Sequence, residues 1–174
     1  MPNEYMPNNE KNNPKIEIQT GENNPILRKK TEIIKEITPE TEKLIEDMFE
    51  ICLIHDGVGL AANQIGKSIS LFVIRLRNAG KDIFLNAYLN PEIINLSSKT
   101  ILKEEGCLSL PGFFAKIKRA ENITIKYQDR LGAEQIIEAS GFLARIIQHE
   151  TDHLNGKLIT DRVKNDGRPK INKK

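Results

Sequence analysis

Apolar residues recur at helical spacing in two stretches of the chain. The first follows the Thr-Pro pair at 38–39, which suits an N-cap and a first helical position. Its apolar face contains Leu44, Ile45, Met48, Phe49, Cys52 and Leu53. The second stretch covers 141–154, with Ser140 as a candidate N-cap and Asn-Gly at 155–156 as a stop. The spacing predicts an amphipathic helix in each stretch.

The region between these helices has the pattern of β-strands. Residues 69–76 are apolar on both faces, which indicates a strand covered on both sides. Residues 123–127 alternate apolar and polar, as in a half-buried strand, and a turn leads to a partner at 133–138. Further short strands are expected at 82–86, 99–104 and 113–118. The order predicts an α+β fold: a mostly antiparallel sheet packed around the second helix, with the first helix N-terminal.

The two ends of the chain differ from this central part. Residues 1–24 hold seven Asn and three Pro with few large apolar side chains, so we expect a flexible N-terminal arm. The segment 161–174 contains six basic and two acidic residues, a charge of +4. A solvated tail and a weak phosphate contact both fit such an end. The expected organisation is therefore an arm at 1–24, a catalytic domain at 25–162 and a basic tail at 163–174.

Composition excludes several classes of protein. The chain has 174 residues and a net charge of +2, from 26 basic and 24 acidic residues. One domain of this size can bury its own core. Two cysteines make no disulfide framework, and no apolar run approaches the ~18 residues of a membrane span. We expect a cytoplasmic protein without a membrane partner. The chain as a whole has no large basic excess of the kind that would indicate nucleic-acid binding.

The second predicted helix carries the sequence His149-Glu150-Thr151-Asp152-His153. Residues four apart lie on one side of a helix, so both imidazoles can reach one metal ion while Glu150 lies beside them. Two buried histidines satisfied by hydrogen bonds, with Glu150 at the rim, are the plain alternative. A metal site needs at least one further protein ligand.

No His, Glu or Cys follows His153, so a third ligand has to come from upstream. Cys107 is the best candidate, because it lies in the glycine-flanked segment 105–112. Cys52 lies on an apolar helix face and fits a buried hydrophobic role instead. A third segment, 57–66, is rich in small residues and contains Gln64, whose amide can donate to a developing oxyanion.

Three segments in this order, GVGLAANQ (57–64), EGCLS (105–109) and QHETDH (148–153), resemble the three motifs of the peptide deformylase family. The resemblance covers roughly residues 25–162 and implies that the chain is a metallohydrolase acting on a linear amide. It implies that the metal ligands are Cys107, His149 and His153. In the same way it implies that Glu150 is the general acid and base, and that Gln64 and the backbone N–H of Leu108 form the oxyanion site.

The resemblance also implies the substrate and its contacts. The backbone of Gly59 and Gly106 would hold the substrate like an added strand. The pocket for the methionine side chain would be shaped by Val58, Phe142, Ile146 and the aliphatic stem of Arg145. The reaction would be hydrolysis of the N-formyl group from the initiator methionine of nascent polypeptides, with release of formate. Residues 112–114 depart from the family, since many bacterial members have more polar residues there, including an Arg.

The cofactor implied is one divalent metal ion per chain. Fe(II) is the ion that the family often uses, and Zn(II), Ni(II) and Co(II) also suit one thiolate and two imidazoles. The implied partners are formyl-methionyl nascent peptides, with a transient ribosome contact through the basic tail, and a monomer is expected. Two alternatives stay open: an HExxH metallopeptidase with an atypical upstream Cys ligand, and a catalytically silent protein with a structural metal site.

Overall fold

The structure is a computed structural model that describes residues 17–163. Its helices are α1 (Pro25–Arg28), α2 (Pro39–Ile54), α3 (Gly141–Leu154) and α4 (Ile159–Val163), with a 3-10 helix at Ala62–Ile65. Its strands are β1 (Gly59–Ala61), β2 (Leu71–Asn78), β3 (Lys81–Leu96), β4 (Thr100–Gly106), β5 (Phe114–Ala120), β6 (Asn122–Gln128) and β7 (Glu134–Ser140). The predicted α+β class with antiparallel sheets is confirmed.

A five-stranded antiparallel sheet of order β1-β2-β3-β6-β7 lies between the two long helices. Strand β2 shows why: Phe72 and Ile74 belong to the cluster that includes Ile147 of α3. Leu71 and Val73 belong to the cluster that includes Ile45, Met48 and Cys52 of α2. The strand is therefore buried on both faces, as its continuous apolar run predicts.

Strands β4 and β5 form a separate two-stranded sheet in continuous register, from Thr100↔Ala120 to Gly106↔Phe114. A third apolar cluster supports it, with Ile117 of β5 packed with Leu27 of α1 and with Ile159 and Val163 of α4. The second sheet carries the segment 105–112 towards helix α3. Two sheets and one helix thus converge on the same region of the molecule.

The predicted boundaries of both long helices are close to those observed. The Thr38 side chain accepts a hydrogen bond from the backbone N–H of Thr41 at 3.4 Å, so it caps α2 as predicted. Ser140 is the N-cap residue of α3, but its side chain makes no capping hydrogen bond. Helix α3 ends at Leu154 with Asn155 as its C-cap, and Gly156 follows with φ of 68°. That left-handed conformation is the usual reason for a glycine after a helix.

Strand β3 is far longer than the predicted strand at 82–86. Its first half pairs with β2 and its second half with β6, and the β6 ladder shifts register after Leu89. Asn90 occupies this irregular point with φ of 49°. Its side chain accepts from the Ile34 N–H and donates to the Ile34 carbonyl, both at 2.8 Å. These bonds attach the irregular point of β3 to Ile34, beside Pro91, which has no N–H to donate to a ladder.

The chain ends also differ from prediction where they are described. The predicted arm at 1–24 includes residues 17–24, whose backbone is hydrogen-bonded to the rest of the domain. Gln19 N–H donates to the Gln64 carbonyl at 2.7 Å, and Asn24 caps α1. The packed part therefore begins earlier than residue 25. Val163 ends α4 and is buried; residues 1–16 and 164–174 lie outside the described part.

The segment 57–66, which is rich in small residues, contains the edge strand β1 and the 3-10 helix. Small residues explain this. A Cβ on Gly59 would lie 2.4 Å from Glu150 Oε1, so only glycine lets β1 approach α3 this closely.

Within the described range, no helix combines the length and hydrophobicity that a bilayer crossing requires.

The end of α3 gives a test of packing. A Cβ on Gly156 would lie 2.4 Å from the Arg28 carbonyl oxygen, whereas one on Gly80 would meet nothing within 4 Å. Both glycines have positive φ, 68° and 79°. Each substitution by alanine should cost roughly 1 kcal/mol for that backbone conformation. Gly156→Ala should cost about 1–3 kcal/mol more than Gly80→Ala, because the backbone of α1 must move. Urea unfolding of both variants measures the difference, and equal losses would contradict the close packing of α1.

Candidate metal centre and active site

Helix α3 places His149 and His153 one turn apart with their rings facing the same point. The two Nε2 atoms are 3.2 Å apart, and the ring centroids are 5.0 Å apart. Their separation of four residues brings both rings to one side of the helix. His153 is almost fully buried, and so is its Nδ1 atom.

Cys107 comes to the same point from the turn that follows β4. Its Sγ lies 3.2 Å from His153 Nε2, and the donor atoms of Cys107, His149 and His153 all lie within 4.8 Å of one another. The Leu110 N–H donates to the Cys107 carbonyl at 3.0 Å and closes the turn. The upstream cysteine and the two histidines are thus brought together, as the sequence predicts.

These three donors fit a divalent cation. Nitrogen ligands at about 2.0–2.1 Å from a tetrahedral metal are ~3.3 Å apart, close to the observed spacing. The two Nε2 atoms and the sulfur face one another. Hydrogen bonds alone stabilise such a group of three atoms poorly, because each proton can join only two of them. Three protein ligands leave a further position open, which is typical of catalytic rather than structural sites.

Glu105, the last residue but one of β4, holds His149 in place. Its Oε2 lies 3.0 Å from His149 Nδ1 and 2.9 Å from Arg119 Nη2, and its Oε1 lies 2.6 Å from Arg145 Nη1. A carboxylate on the second nitrogen of a metal-binding histidine fixes the ring and its tautomer. Burial would raise the pKa of Glu105, but the hydrogen bonds from His149 and Arg119 outweigh it and lower the pKa to about 2.

Arg119 connects this carboxylate to a second one within the metal-binding helix. Its Nη1 donates to Asp152 Oδ2 at 2.5 Å, and Arg162 of α4 also pairs with Asp152. Arg119 and Asp152 are both buried. Buried charges of this kind persist only when they are paired and hydrogen-bonded. The network therefore joins β4, β5, α3 and α4 around the three donors.

The same contacts set the protonation of the histidines. Burial opposes the charged form of His149, but its hydrogen bonds to Cys107 and Glu105 raise its pKa to about 10. Burial and the neighbouring His149 charge lower the pKa of His153. His149 thus favours its charged form and His153 its neutral form, and a bound cation would take the place of the His149 Nε2 proton.

Glu150 is buried on the neighbouring side of α3 and lacks the partners that Glu105 has. Its Oε2 has no hydrogen-bond partner among the described residues. Burial raises its pKa to about 7, although the nearby His149 charge acts in the opposite direction. A carboxyl group with a pKa near neutrality can both accept and release a proton. This position fits the prediction that Glu150 lies beside the two histidines, whereas the plain alternative placed it at the rim and the residue is buried.

Gln64 and the turn after Cys107 form another side of the site. Gln64 is 2% exposed, and its Nε2 lies 3.8 Å from Cys107 Sγ and 3.1 Å from Ser109 Oγ. Its Oε1 accepts from the Ala61 N–H at 2.9 Å. Leu108 lies in the turn between these contacts and lines the same cavity. The structure thus brings Gln64 and Leu108 to the metal centre.

A cavity of about 740 Å³ opens beside the three donors, and Cys107, His149 and Glu150 line it. Its lining includes every residue that the resemblance assigns to the substrate: Val58, Gly59, Gly106, Phe142, Arg145 and Ile146. Gly59 belongs to the edge strand of the larger sheet and Gly106 to the smaller sheet, so the cavity lies between two sheets. Arg145 lines the cavity, and its guanidinium donates to the Ile117 and Ile101 carbonyls at 2.9 and 2.6 Å.

Sequence reasoning missed several residues of this site. Glu105 and Asp152 lie within the recognised motifs, so their proximity to Cys107 and His153 was a signal that could have been used. Arg119 has no local signal, because a single Arg in an alternating strand is usually solvated. His55, left without a role by the sequence, lies at the cavity wall just after α2.

A cysteine, two histidines and an unpaired buried glutamate around one cavity define a metal-dependent hydrolase. A family model described as polypeptide deformylase matches residues 16–169. The chain therefore belongs to the polypeptide deformylase family.

Individual proteins of the family are similar over most of their length. The peptide deformylase of Thermodesulfovibrio yellowstonii is 46% identical over 138 residues, 79% of this chain and 83% of the relative. The crystal structure of the Thermotoga maritima peptide deformylase superposes with a TM-score of 0.78 at 40% identity, covering 85% of this chain and 97% of that one. A peptide deformylase of Acinetobacter baumannii with bound Met-Ala-Ser has a TM-score of 0.79 at 32% identity, covering 85% and 98%.

The two cysteines give a matched test of the donor set. Cys107→Ser should lower the affinity for Zn(II) or Co(II) by at least about tenfold, because a hydroxyl is a far poorer ligand than a thiolate. Cys52→Ala should leave affinity unchanged, because Cys52 lies on the buried face of α2 and its Sγ donates to the Gly57 carbonyl. Competition titration against a chelator measures both. Unaltered affinity in Cys107→Ser would remove Cys107 from the ligand set.

The carboxylate behind His149 gives a second test. Glu105→Gln should weaken metal binding by about 10–100-fold, since it removes the charge that holds His149 Nδ1. Glu104→Gln is the control, because Glu104 is the adjacent residue but is exposed. Metal titration and thermal unfolding should be measured together. Equal affinity in the two variants would show that Glu105 does not support the ligand.

Proposed function

We propose that this chain is a peptide deformylase that hydrolyses the N-formyl group of nascent polypeptides and releases formate. The observation that carries the proposal is the buried Glu150, whose Oε2 has no partner among the described residues and which lines one cavity with Cys107 and His149 of the three-donor cluster. Membership of the family supplies the substrate class. The tripeptide Met-Ala-Ser bound to the A. baumannii relative has the sequence of a deformylated product.

Cys107, His149 and His153 would hold the metal ion, which when bound polarises the formyl carbonyl and acidifies a water molecule. Glu150 takes a proton from the attacking water molecule as the water oxygen forms a bond to the formyl carbon. Glu150 then delivers that proton to the amide nitrogen as the carbon–nitrogen bond breaks. The products are formate and a peptide with a free amine, so atoms and protons balance.

The formyl oxygen gains negative charge during this attack and needs hydrogen-bond donors. Gln64 Nε2 and the backbone N–H of Leu108 are the donors that we assign to it. Both belong to segments that line the cavity beside Cys107. One such donor is worth about 2.7–4 kcal/mol of transition-state stabilisation.

The rest of the substrate would lie between the two sheets. The backbones of Gly59 and Gly106 would pair with the peptide as with an added strand, which a sheet edge permits. Val58, Phe142, Ile146 and the stem of Arg145 would enclose the methionine side chain. Of these four, Ile146 is buried and Val58 and Phe142 are exposed at the cavity wall, so an apolar side chain would cover them.

The finer details of the cofactor and partners are proposals. We assign Fe(II) as the ion used in the cell, with Zn(II), Ni(II) and Co(II) as substitutes for one thiolate and two imidazoles. We expect a monomer that works in the cytoplasm, where nascent chains form. The basic residues of the tail at 163–174 would contact ribosomal phosphates. Ribosome binding that is insensitive to salt, or unchanged without residues 164–174, would contradict that contact.

The function is tested with Glu150→Gln, which keeps the size of the side chain but cannot carry the proton. The variant should keep one metal per chain and lose about 10²–10⁴-fold in kcat on a formyl-Met peptide. Glu138→Gln, at an exposed position of β7, should keep wild-type activity. Release of formate measures the reaction. Retained turnover in metal-loaded Glu150→Gln would refute the role.

The same assay separates a deformylase from an HExxH metallopeptidase. Wild-type protein should release formate from formyl-Met-Ala-Ser and should not cleave the unformylated peptide. Cleavage of the peptide backbone would favour the metallopeptidase.

A further inference from the structure

The orientation of the Gln64 amide is fixed by its hydrogen bonds. The Ala61 N–H lies 2.9 Å from one end of the amide, and a backbone N–H can only donate. That end must therefore be the oxygen Oε1. The NH2 group is consequently the end that faces Ser109 and Cys107.

One hydrogen of this NH2 group goes to Ser109. Gln64 Nε2 lies 3.1 Å from Ser109 Oγ, in a contact that is entirely buried because Ser109 is 0% exposed. The two hydrogens of a planar amide point about 120° apart. With one on Ser109, the second is directed away from it, and Cys107 Sγ lies on that side at 3.8 Å.

The backbones of the same two residues are also tied together. Gln19 N–H donates to the Gln64 carbonyl at 2.7 Å, and Gly21 N–H donates to the Ser109 carbonyl at 3.0 Å. Residues 19–21 therefore hold the 3-10 helix and the turn after Cys107 at a fixed separation. The Gln64–Ser109 hydrogen bond joins the same two segments through their side chains.

We propose that Ser109 is a positioning residue, whose buried hydroxyl fixes the rotation of the Gln64 amide so that its second hydrogen points at the formyl oxygen. The terminal torsion of a glutamine side chain has broad energy wells, so the amide can rotate readily unless both ends are held. Ala61 holds the oxygen end and Ser109 holds the nitrogen end. This inference rests on the function proposed above.

The test is a double-mutant cycle with Ser109→Ala and Gln64→Ala in the metal-loaded, full-length protein. Ser109→Ala should lower kcat on formyl-Met-Ala-Ser by about 10–100-fold and change KM by less than about 3-fold, because the contact acts mainly in the transition state. In the Gln64→Ala background the same substitution should change kcat by less than about 2-fold, since the group that Ser109 positions is gone.

Two further measurements separate positioning from a structural effect. The cobalt form of Ser109→Ala should keep its thiolate-to-metal absorption, which reports the Cys107 ligand independently of activity. Ser97→Ala is the matched control: it loses a hydroxyl that donates to the Lys99 carbonyl at 2.8 Å, outside the residues that line the cavity. Its kcat should equal that of the wild-type protein.

Each other outcome has a definite meaning. Multiplicative losses in the double variant, or wild-type kcat in Ser109→Ala, would overturn the positioning role while leaving the deformylase function intact. A changed cobalt spectrum in Ser109→Ala would also overturn it, because the loss would then arise at the metal ligand. Absence of formate release by the wild-type protein would overturn the proposed function and this inference with it.

Discussion

The fold and the candidate metal centre both depend on the hydrogen bonds and ion pairs of the Glu105 carboxylate. It lies on β4 and accepts hydrogen bonds from Arg119 of β5, from Arg145 of α3 and from the ring of His149. The small sheet and the helix are therefore joined through the same group that orients His149, one of the three candidate metal donors. Removing one partner from a buried ion pair is costly because the other charge stays buried. The domain thus cannot relax at this point without disturbing the donors.

The carboxylates on or beside α3 have different chemistry because their surroundings differ. Glu105 and Asp152 are surrounded by guanidinium groups, and the pKa of Glu105 is held at about 2. Glu150 lies on the same helix as Asp152, but its Oε2 has no hydrogen-bond partner among the described residues, and burial raises its pKa to about 7. Glu105 therefore stays charged and holds its partners, whereas the pKa of Glu150 lies near neutrality, which suits proton transfer. Separating the pKa values of neighbouring acids in this way is how a site assigns structural and chemical tasks.

The parts of the structure that the sequence predicted best are those specified by short-range patterns. Helix α3 and its histidines follow from a period of 3.6 residues, and strand β6 follows from strict alternation. The full length of β3 could not be predicted, because it changes partners midway and Asn90-Pro91 resembles a turn. The contact of Arg119 with Glu105 and Asp152 was equally hidden. It joins residues 14 and 33 positions apart, a relation that no local pattern contains.

The site is assembled from segments that are distant in the chain. Its parts lie at 59–64, at 105–109 and at 149–153, and the turn of Cys107 leads into Leu110, which packs with residues of α4 at 159–163. During synthesis at the ribosome, the first two segments emerge long before α3 does. Neither can bind a metal with three protein ligands or enclose a substrate until the helix docks. A nascent copy of this chain therefore stays inactive until α3 docks, and the active site forms in one late step of folding.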